Sequence, residues 1–96
     1  MTATSQDPRI KVEKEPDEKR LSQLGVRSWP IWTKEKSRFD WHYDSKETCY
    51  FLEGDVIVKT DKGETHVGKG DLVIFPQGLT CVWDVREPVK KHYFFE

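Results

Sequence analysis

Several residue types are scarce in this sequence, and each scarcity excludes a class of protein. Two cysteines, Cys49 and Cys81, could form one disulfide but no disulfide framework. No apolar run approaches the eighteen or so residues of a membrane span. The first twenty residues mix acids and bases, unlike a secretory signal or a transit peptide. A net charge of -1 provides no basic surface for nucleic acid or an anionic membrane. We therefore expect a cytoplasmic protein with two reduced, buried thiols that binds neither nucleic acid nor a membrane.

Aromatic residues, by contrast, are abundant. The chain has four Trp, three Tyr and five Phe among its 96 residues, and these rings compensate for a small number of aliphatic side chains in the core. This length makes one domain, which we place at residues 10–96 behind a flexible, polar N-terminus at residues 1–9. Because so short a chain buries a modest core, burying more surface in a dimer would stabilise it.

The pattern of apolar residues predicts a chain made almost entirely of strands. Residues 10–14 alternate between apolar and charged side chains as an edge strand does, and residues 16–25 predict one short helix that ends at Gly25. Eight or nine short strands follow at near-regular spacing, separated by turns such as Asp61-Lys62-Gly63. The sequence therefore predicts an all-β barrel or sandwich with one helix near its N-terminus.

Two glycine-containing segments carry motifs. The first is Glu47-x6-Gly54, and the second is Gly70-x5-Pro76-x-Gly78-x2-Cys81. Both segments resemble motifs of the cupin family, whose histidine positions are here taken by Trp41, Tyr43 and Cys81. Over roughly residues 8–96 the chain resembles the small, single-domain, RmlC-like cupins of plants and bacteria that are grouped with the cupin domain of (S)-ureidoglycine aminohydrolase.

This resemblance has three implications. The fold it implies is the cupin double-stranded β-helix, or jelly-roll barrel, with one short N-terminal helix. The assembly it implies is a homodimer. The activity it implies is metal-assisted aminohydrolysis of a ureido compound, with Glu47 and Cys81 as ligands of Mn or Zn and His42 or Tyr43 completing the shell.

The residue types at the ligand positions argue against that metal. An indole such as that of Trp41 only donates hydrogen bonds, and a neutral phenol such as that of Tyr43 is a poor ligand. Shifting the strand by one residue would instead direct Asp40 and His42 inward beside Glu47. That shift would expose three rings at a cost of roughly 1.5–3 kcal/mol each and would bury aspartates. We therefore expect Phe39, Trp41 and Tyr43 inside and no bound metal.

The inward-facing side chains predict a pocket at one end of the barrel. Glu47 is the candidate catalytic residue, because a carboxylate facing the lumen needs a partner, a proton or water. Lys91 on the last strand could be that partner. The predicted pocket consists of Trp41, Tyr43, Glu47, Cys49, Cys81, Trp83 and Lys91.

Three functions remain open at this point. The first is the binding of a small polar or planar molecule by a metal-free cupin, without a cofactor. The second is a metal-dependent enzyme resembling ureidoglycine aminohydrolase. The third is a structural or interaction domain whose rings fill the lumen. The three histidines, His42, His66 and His92, are expected on outward faces as solvated surface residues.

Overall fold

The computed structural model describes residues 6–96, so most of the predicted flexible N-terminus, residues 1–5, lies outside the described residues. Seven strands, one α-helix and one 3-10 turn form within residues 6–96. Their bounds are β1 Lys11–Lys14, α1 Glu18–Leu24, the 3-10 turn Val26–Ser28, β2 Ile31–Lys34, β3 Ser37–His42, β4 Glu47–Thr60, β5 Gly63–Gly68, β6 Asp71–Phe75 and β7 Thr80–Phe95. None of the helices in this part of the chain is both long and apolar enough to cross a membrane.

All strand pairs are antiparallel. The sheet runs β1-β6-β4-β7-β2, while β3 also pairs with β7 and β5 also pairs with β4. Because β4 and β7 each pair with several strands, the sheet closes around a core of aliphatic and aromatic side chains. The predicted all-β jelly roll with one short N-terminal helix is confirmed.

The two long strands differ from the eight or nine short strands that the sequence predicts. Gly54 looks like the end of a strand, yet β4 continues through it, with β-bulges between Phe51 and Val56. Gly54 has a φ of +121°, and a Cβ there would lie 2.9 Å from the Cα of Val89. The glycine therefore bends the strand and lets β7 approach closely, so two predicted strands become one.

The helix ends at Gly25 as the sequence predicts, but it begins at Glu18, two residues after the predicted start at residue 16. Asp17 caps its N-terminus by accepting a hydrogen bond from the backbone N–H of Arg20 at 2.9 Å. Gly25, with a φ of +72°, ends it and donates to the carbonyls of the last turn. Leu21 is the buried residue of this helix, which fixes the side that packs on the barrel.

The chain is packed against the barrel earlier than the predicted boundary at residue 9. Asp7 is buried, and its carboxylate accepts hydrogen bonds from Arg9 Nη2 and Thr60 Oγ1, both at 2.6 Å. The Asp7 backbone N–H donates to Thr65 Oγ1 at 3.2 Å. These long-range contacts attach the described start of the chain to β4 and β5.

Candidate functional site

The orientation of β3 sets the character of the site. Phe39 pairs with Trp83 of β7, Trp41 pairs with Cys81, and Tyr43 is buried just beyond the strand. Asp40 and His42 are exposed. The strand therefore turns its rings toward the lumen and its acids and imidazole toward solvent, and the shifted register is not adopted.

A cavity of about 220 Å³ lies at this end of the barrel. Two exposed rings form its rim, because Trp41 is 45% exposed and Phe95 is 42% exposed. The opening lets a small molecule enter without unfolding the barrel. The lining residues are Trp32, Phe39, Trp41, Tyr43, Glu47, Trp83, Lys91, Tyr93 and Phe95.

A buried ion pair lies in the wall of this cavity. Lys91 Nζ donates to Glu47 Oε2 at 2.7 Å, and their side chains are only 5% and 3% exposed. Glu47 is the first residue of β4, and Lys91 lies on β7, which pairs with β4. The lysine predicted as the partner of Glu47 is thus the residue that neutralises it.

Aromatic rings surround the same ammonium. Lys91 Nζ lies 4.5 Å from the ring centroid of Trp83, 4.9 Å from that of Trp32 and 5.9 Å from that of Phe51. Cation–π contacts of this kind are worth about 2 kcal/mol or more when desolvated. The wall therefore stabilises a positive charge at Nζ from two directions, by a carboxylate and by ring faces.

Two buried donors of the cavity lining, which lie near Glu47 and Cys81 respectively, make no well-aligned hydrogen bond among the described residues. They are the Tyr43 hydroxyl and the Trp83 Nε1–H. Burial, reinforced by the negative charge of Glu47, holds the pKa of Tyr43 well above its usual range. The phenol therefore stays protonated and remains a hydrogen-bond donor. A buried donor without a well-aligned partner is costly, so a bound acceptor would be stabilising here.

The cysteines are placed differently from the prediction. Both thiols are free and buried, but neither Cys49 nor Cys81 lines the cavity. Burial raises the pKa of Cys81 to about 11 and raises that of Cys49 further. Both side chains belong to the buried hydrophobic core and not to the cavity lining, so the thiols act as small apolar residues.

The donor set does not fit a metal ion. No group of three or more His, Cys, Asp or Glu side chains that could hold one forms within residues 6–96. Glu47 is already paired with an ammonium, Tyr43 stays protonated, and Cys81 is a protonated thiol outside the cavity lining. The pair proposed for Mn or Zn, Glu47 and Cys81, therefore does not form a ligand set.

Five of the seven predicted pocket residues line the cavity, and four further lining residues were not predicted: Trp32, Phe39, Tyr93 and Phe95. Phe39 lies on the face of β3 that the sequence predicts to point inward, which was a signal for this residue. The alternation of Lys91, Tyr93 and Phe95 along β7 was a signal for two more. Trp32 had no comparable signal, because only the pairing of β2 with β7 places it opposite Lys91.

The histidines agree with the prediction in two cases out of three. His42 and His66 are exposed, and they contact Thr80 and Asp55 respectively. His92, however, is buried, with Nδ1 2.9 Å from the carbonyl oxygen of Trp29. The prediction of a solvated His92 is therefore wrong, because the segment before β2 covers that face of β7.

The jelly roll and the cavity at its end define a cupin barrel as the class of protein. Residues 21–93 match the model of the EutQ-like cupin domain, and the chain belongs to that family. None of the curated proteins matches this sequence.

Solved structures agree with this assignment. A DUF861 family protein from Thermotoga maritima is 53% identical, covers 91% of this chain and 99% of its own, and superposes with a TM-score of 0.87. The EutQ protein of Clostridium difficile and a putative ethanolamine utilization protein Q from Salmonella typhimurium are each 20% identical over 68% of this chain, both with a TM-score of 0.62. This chain spans about half the length of those two proteins, at 52% and 53%, and they show similarity of fold alone.

Proposed function

We propose that this protein binds a small, planar molecule with polar groups in the aromatic cavity, without a metal cofactor. The observation that carries the proposal is the combination of an open cavity of about 220 Å³ with a buried Glu47–Lys91 pair in its wall. A domain whose rings only filled the barrel would need neither feature.

The size and lining of the cavity support a ligand of modest dimensions. At about 30 Å³ per water molecule, 220 Å³ corresponds to roughly seven waters. Ring faces such as those of Phe39 and Trp41 favour a flat, weakly polar body by stacking. Apolar lining with a few polar groups is the usual composition of a small-molecule site.

The polar groups of the wall indicate which atoms the ligand presents. Lys91 has two N–H groups beyond the one that reaches Glu47, and Tyr43 and Trp83 carry buried donors without well-aligned protein partners. Glu47 Oε1 is the corresponding acceptor. Donors therefore outnumber acceptors, which favours a ligand with carbonyl or carboxylate oxygens. The lysine ammonium supplies a positive charge that would attract such oxygens.

The alternative, a metal-dependent aminohydrolase acting on a ureido compound, has less support. It needs a ligand set that the residues proposed for it do not provide, because burial raises the pKa of Tyr43 and of Cys81 and because Glu47 is already paired with Lys91. Ureides nevertheless contain the planar, carbonyl-bearing groups that the cavity favours. Binding of a ureide without metal would support our proposal, whereas metal-dependent turnover would support the alternative.

A thermal-shift screen against ureides, sugars and small organic acids tests the proposal. A ligand at a hundred times its Kd stabilises the folded state by about 2.7 kcal/mol. For a domain of this size that corresponds to roughly 10–20 °C in Tm. We expect Trp41→Ala at the cavity rim to reduce this shift.

Trp29→Ala is the matched control, because Trp29 stacks on Phe94 and does not line the cavity. An equal loss of binding in both tryptophan variants, or the absence of any ligand in the screen, would count against the cavity as a binding site.

We further propose that the protein forms a homodimer in the cytoplasm through the edge at β2. Ile31 on that strand and Phe94 on β7 are large, exposed apolar side chains, and β2 lies at the end of the strand order. We expect Ile31→Lys to convert a dimer into a monomer in light scattering. A monomeric parent protein would refute this part of the proposal.

A further inference from the structure

The cavity wall contains a primary amine whose chemistry goes beyond binding. We infer that Lys91 Nζ forms an imine with small aldehydes or ketones that enter the cavity, and that Glu47 transfers the protons of this reaction. The inference rests on the proposed function, because the carbonyl compound must first occupy the cavity.

The first support is the isolation of the amine from water. Lys91 lines the cavity, its side chain is 5% exposed, and Glu47 is its hydrogen-bond partner among the described residues. Lysines that form imines with carbonyl compounds are shielded from water in this way, and at Lys91 the neutral amine would arise by proton transfer to Glu47. The neighbouring Lys90, one residue away on β7, instead faces away from the lumen because side chains alternate along a strand.

The second support is the position of a proton acceptor. Glu47 Oε2 lies 2.7 Å from Nζ, within the range for direct proton transfer. Moving one proton from the ammonium to the carboxylate along this hydrogen bond leaves a neutral amine facing a neutral acid. No other group has to move for the nucleophile to form.

The third support is the fit between the wall and the product. A protonated imine keeps one positive charge on the same nitrogen that the ammonium carried. Glu47 and the faces of Trp32 and Trp83, with centroids 4.9 and 4.5 Å from Nζ, stabilise that charge before and after the reaction. The site therefore retains its electrostatic balance when the imine forms.

The reaction balances without any further reagent. The amine attacks the carbonyl carbon, and a C–N bond forms as the π bond of the C=O group breaks. The proton on Glu47 passes to the oxygen, and Nζ returns one of its protons to Glu47, which gives a neutral carbinolamine. Glu47 then protonates the hydroxyl, which leaves as water while a C=N bond replaces the C–O bond, so that a protonated imine faces the Glu47 carboxylate. One water leaves for each imine, and no group is oxidised or reduced.

Reductive trapping tests the inference. The native protein is incubated with benzaldehyde and sodium cyanoborohydride at neutral pH, and peptide mass spectrometry follows the benzyl group on each lysine. We expect Lys91 to be labelled about a hundredfold faster than Lys90, the scale that a positioned acid–base group contributes. Lys91→Arg should abolish the fast label, and Lys90→Arg should retain it. Glu47→Gln should slow the label at Lys91 and change its pH profile.

Two results would overturn the inference: labelling of Lys91 no faster than that of Lys90 in the native protein, or a fast label that persists in Lys91→Arg. Because the native comparison needs no variant, the test holds even if a variant fails to fold. Benzyl alcohol, which has no carbonyl group, separates this inference from the proposed function. Thermal stabilisation by benzyl alcohol without trapping of benzaldehyde would refute imine formation alone, whereas the absence of both would refute the cavity as a binding site.

Discussion

Removing Lys91 alone should destabilise the protein far more than removing both partners of the Glu47–Lys91 pair. In Lys91→Met, the Glu47 carboxylate stays buried without its partner at 2.7 Å. Breaking a buried pair in this way costs about 3–5 kcal/mol. At about 4–8 °C per kcal/mol for a domain of this size, Tm should fall by roughly 12–40 °C.

The other single variant, Glu47→Gln, should lose less stability. In Glu47→Gln the ammonium keeps an amide oxygen as acceptor and keeps the rings of Trp32 and Trp83 at 4.9 and 4.5 Å. A cost of about 1–3 kcal/mol follows from weakening one charged hydrogen bond. The double variant Glu47→Gln/Lys91→Met buries no charge, so we expect it to be more stable than Lys91→Met alone.

Urea denaturation followed by tryptophan fluorescence measures all four proteins of this cycle. We expect a coupling free energy of about 2–4 kcal/mol, larger than for exposed pairs. The exposed, bidentate pair of Glu18 and Arg27, 2.7 Å apart, is the matched control and should show a much smaller coupling because solvent screens it. Strictly additive effects at Glu47 and Lys91 would refute our account of a desolvated pair.

Three further predictions concern other parts of the barrel. Side-chain hydrogen bonding from Arg9 lowers the pKa of Asp7, so this carboxylate contributes stability above about pH 4 that is lost as the pH falls; acid titration of Tm should show a smaller loss for Asp7→Asn. Gly54→Ala should cost more than Gly78→Ala in urea denaturation, because both residues have positive φ but only Gly54 faces backbone at 2.9 Å; equal costs would contradict the close approach. The raised pKa of Cys81, about 11, predicts that iodoacetamide at pH 8 modifies it only after unfolding; rapid modification of the native protein would contradict its burial.

Much of the fold follows from short-range patterns in the sequence. The alternation of Phe39, Trp41 and Tyr43 correctly gives the inward face of β3, because exposing all three rings would cost more than any local preference could offset. The helix is equally local, since its Asp17 cap and Gly25 end are encoded within a few residues.

The continuous strands β4 and β7 could not be predicted in the same way. Gly54 and Pro88 are residues that normally interrupt strands, and each lies within one long strand here. They are tolerated because β-bulges and the close packing of Gly54 on Val89 bend the two strands together. This tertiary reason is invisible in either segment alone.

The sequence predicts which side chains face into the barrel, because side chains alternate along a strand. It does not predict which of these inward side chains line the cavity. Alternation places Glu47 and Lys91 inside the barrel, and their proximity follows once β4 pairs with β7. Alternation also places Cys81 inside, but it gives no information on which inward side chain lines the cavity and which belongs to the buried core. Trp32 enters the wall through strand pairing that the sequence does not display.

We propose that the cation beside Glu47 is the ammonium of Lys91 and that no metal takes that place. Elemental analysis of the purified native protein for Mn, Fe and Zn, with Glu47→Gln prepared in parallel, tests this claim most directly. We predict far less than one equivalent of any of these metals per chain in both proteins. One equivalent in the native protein that is lost in Glu47→Gln would contradict the claim.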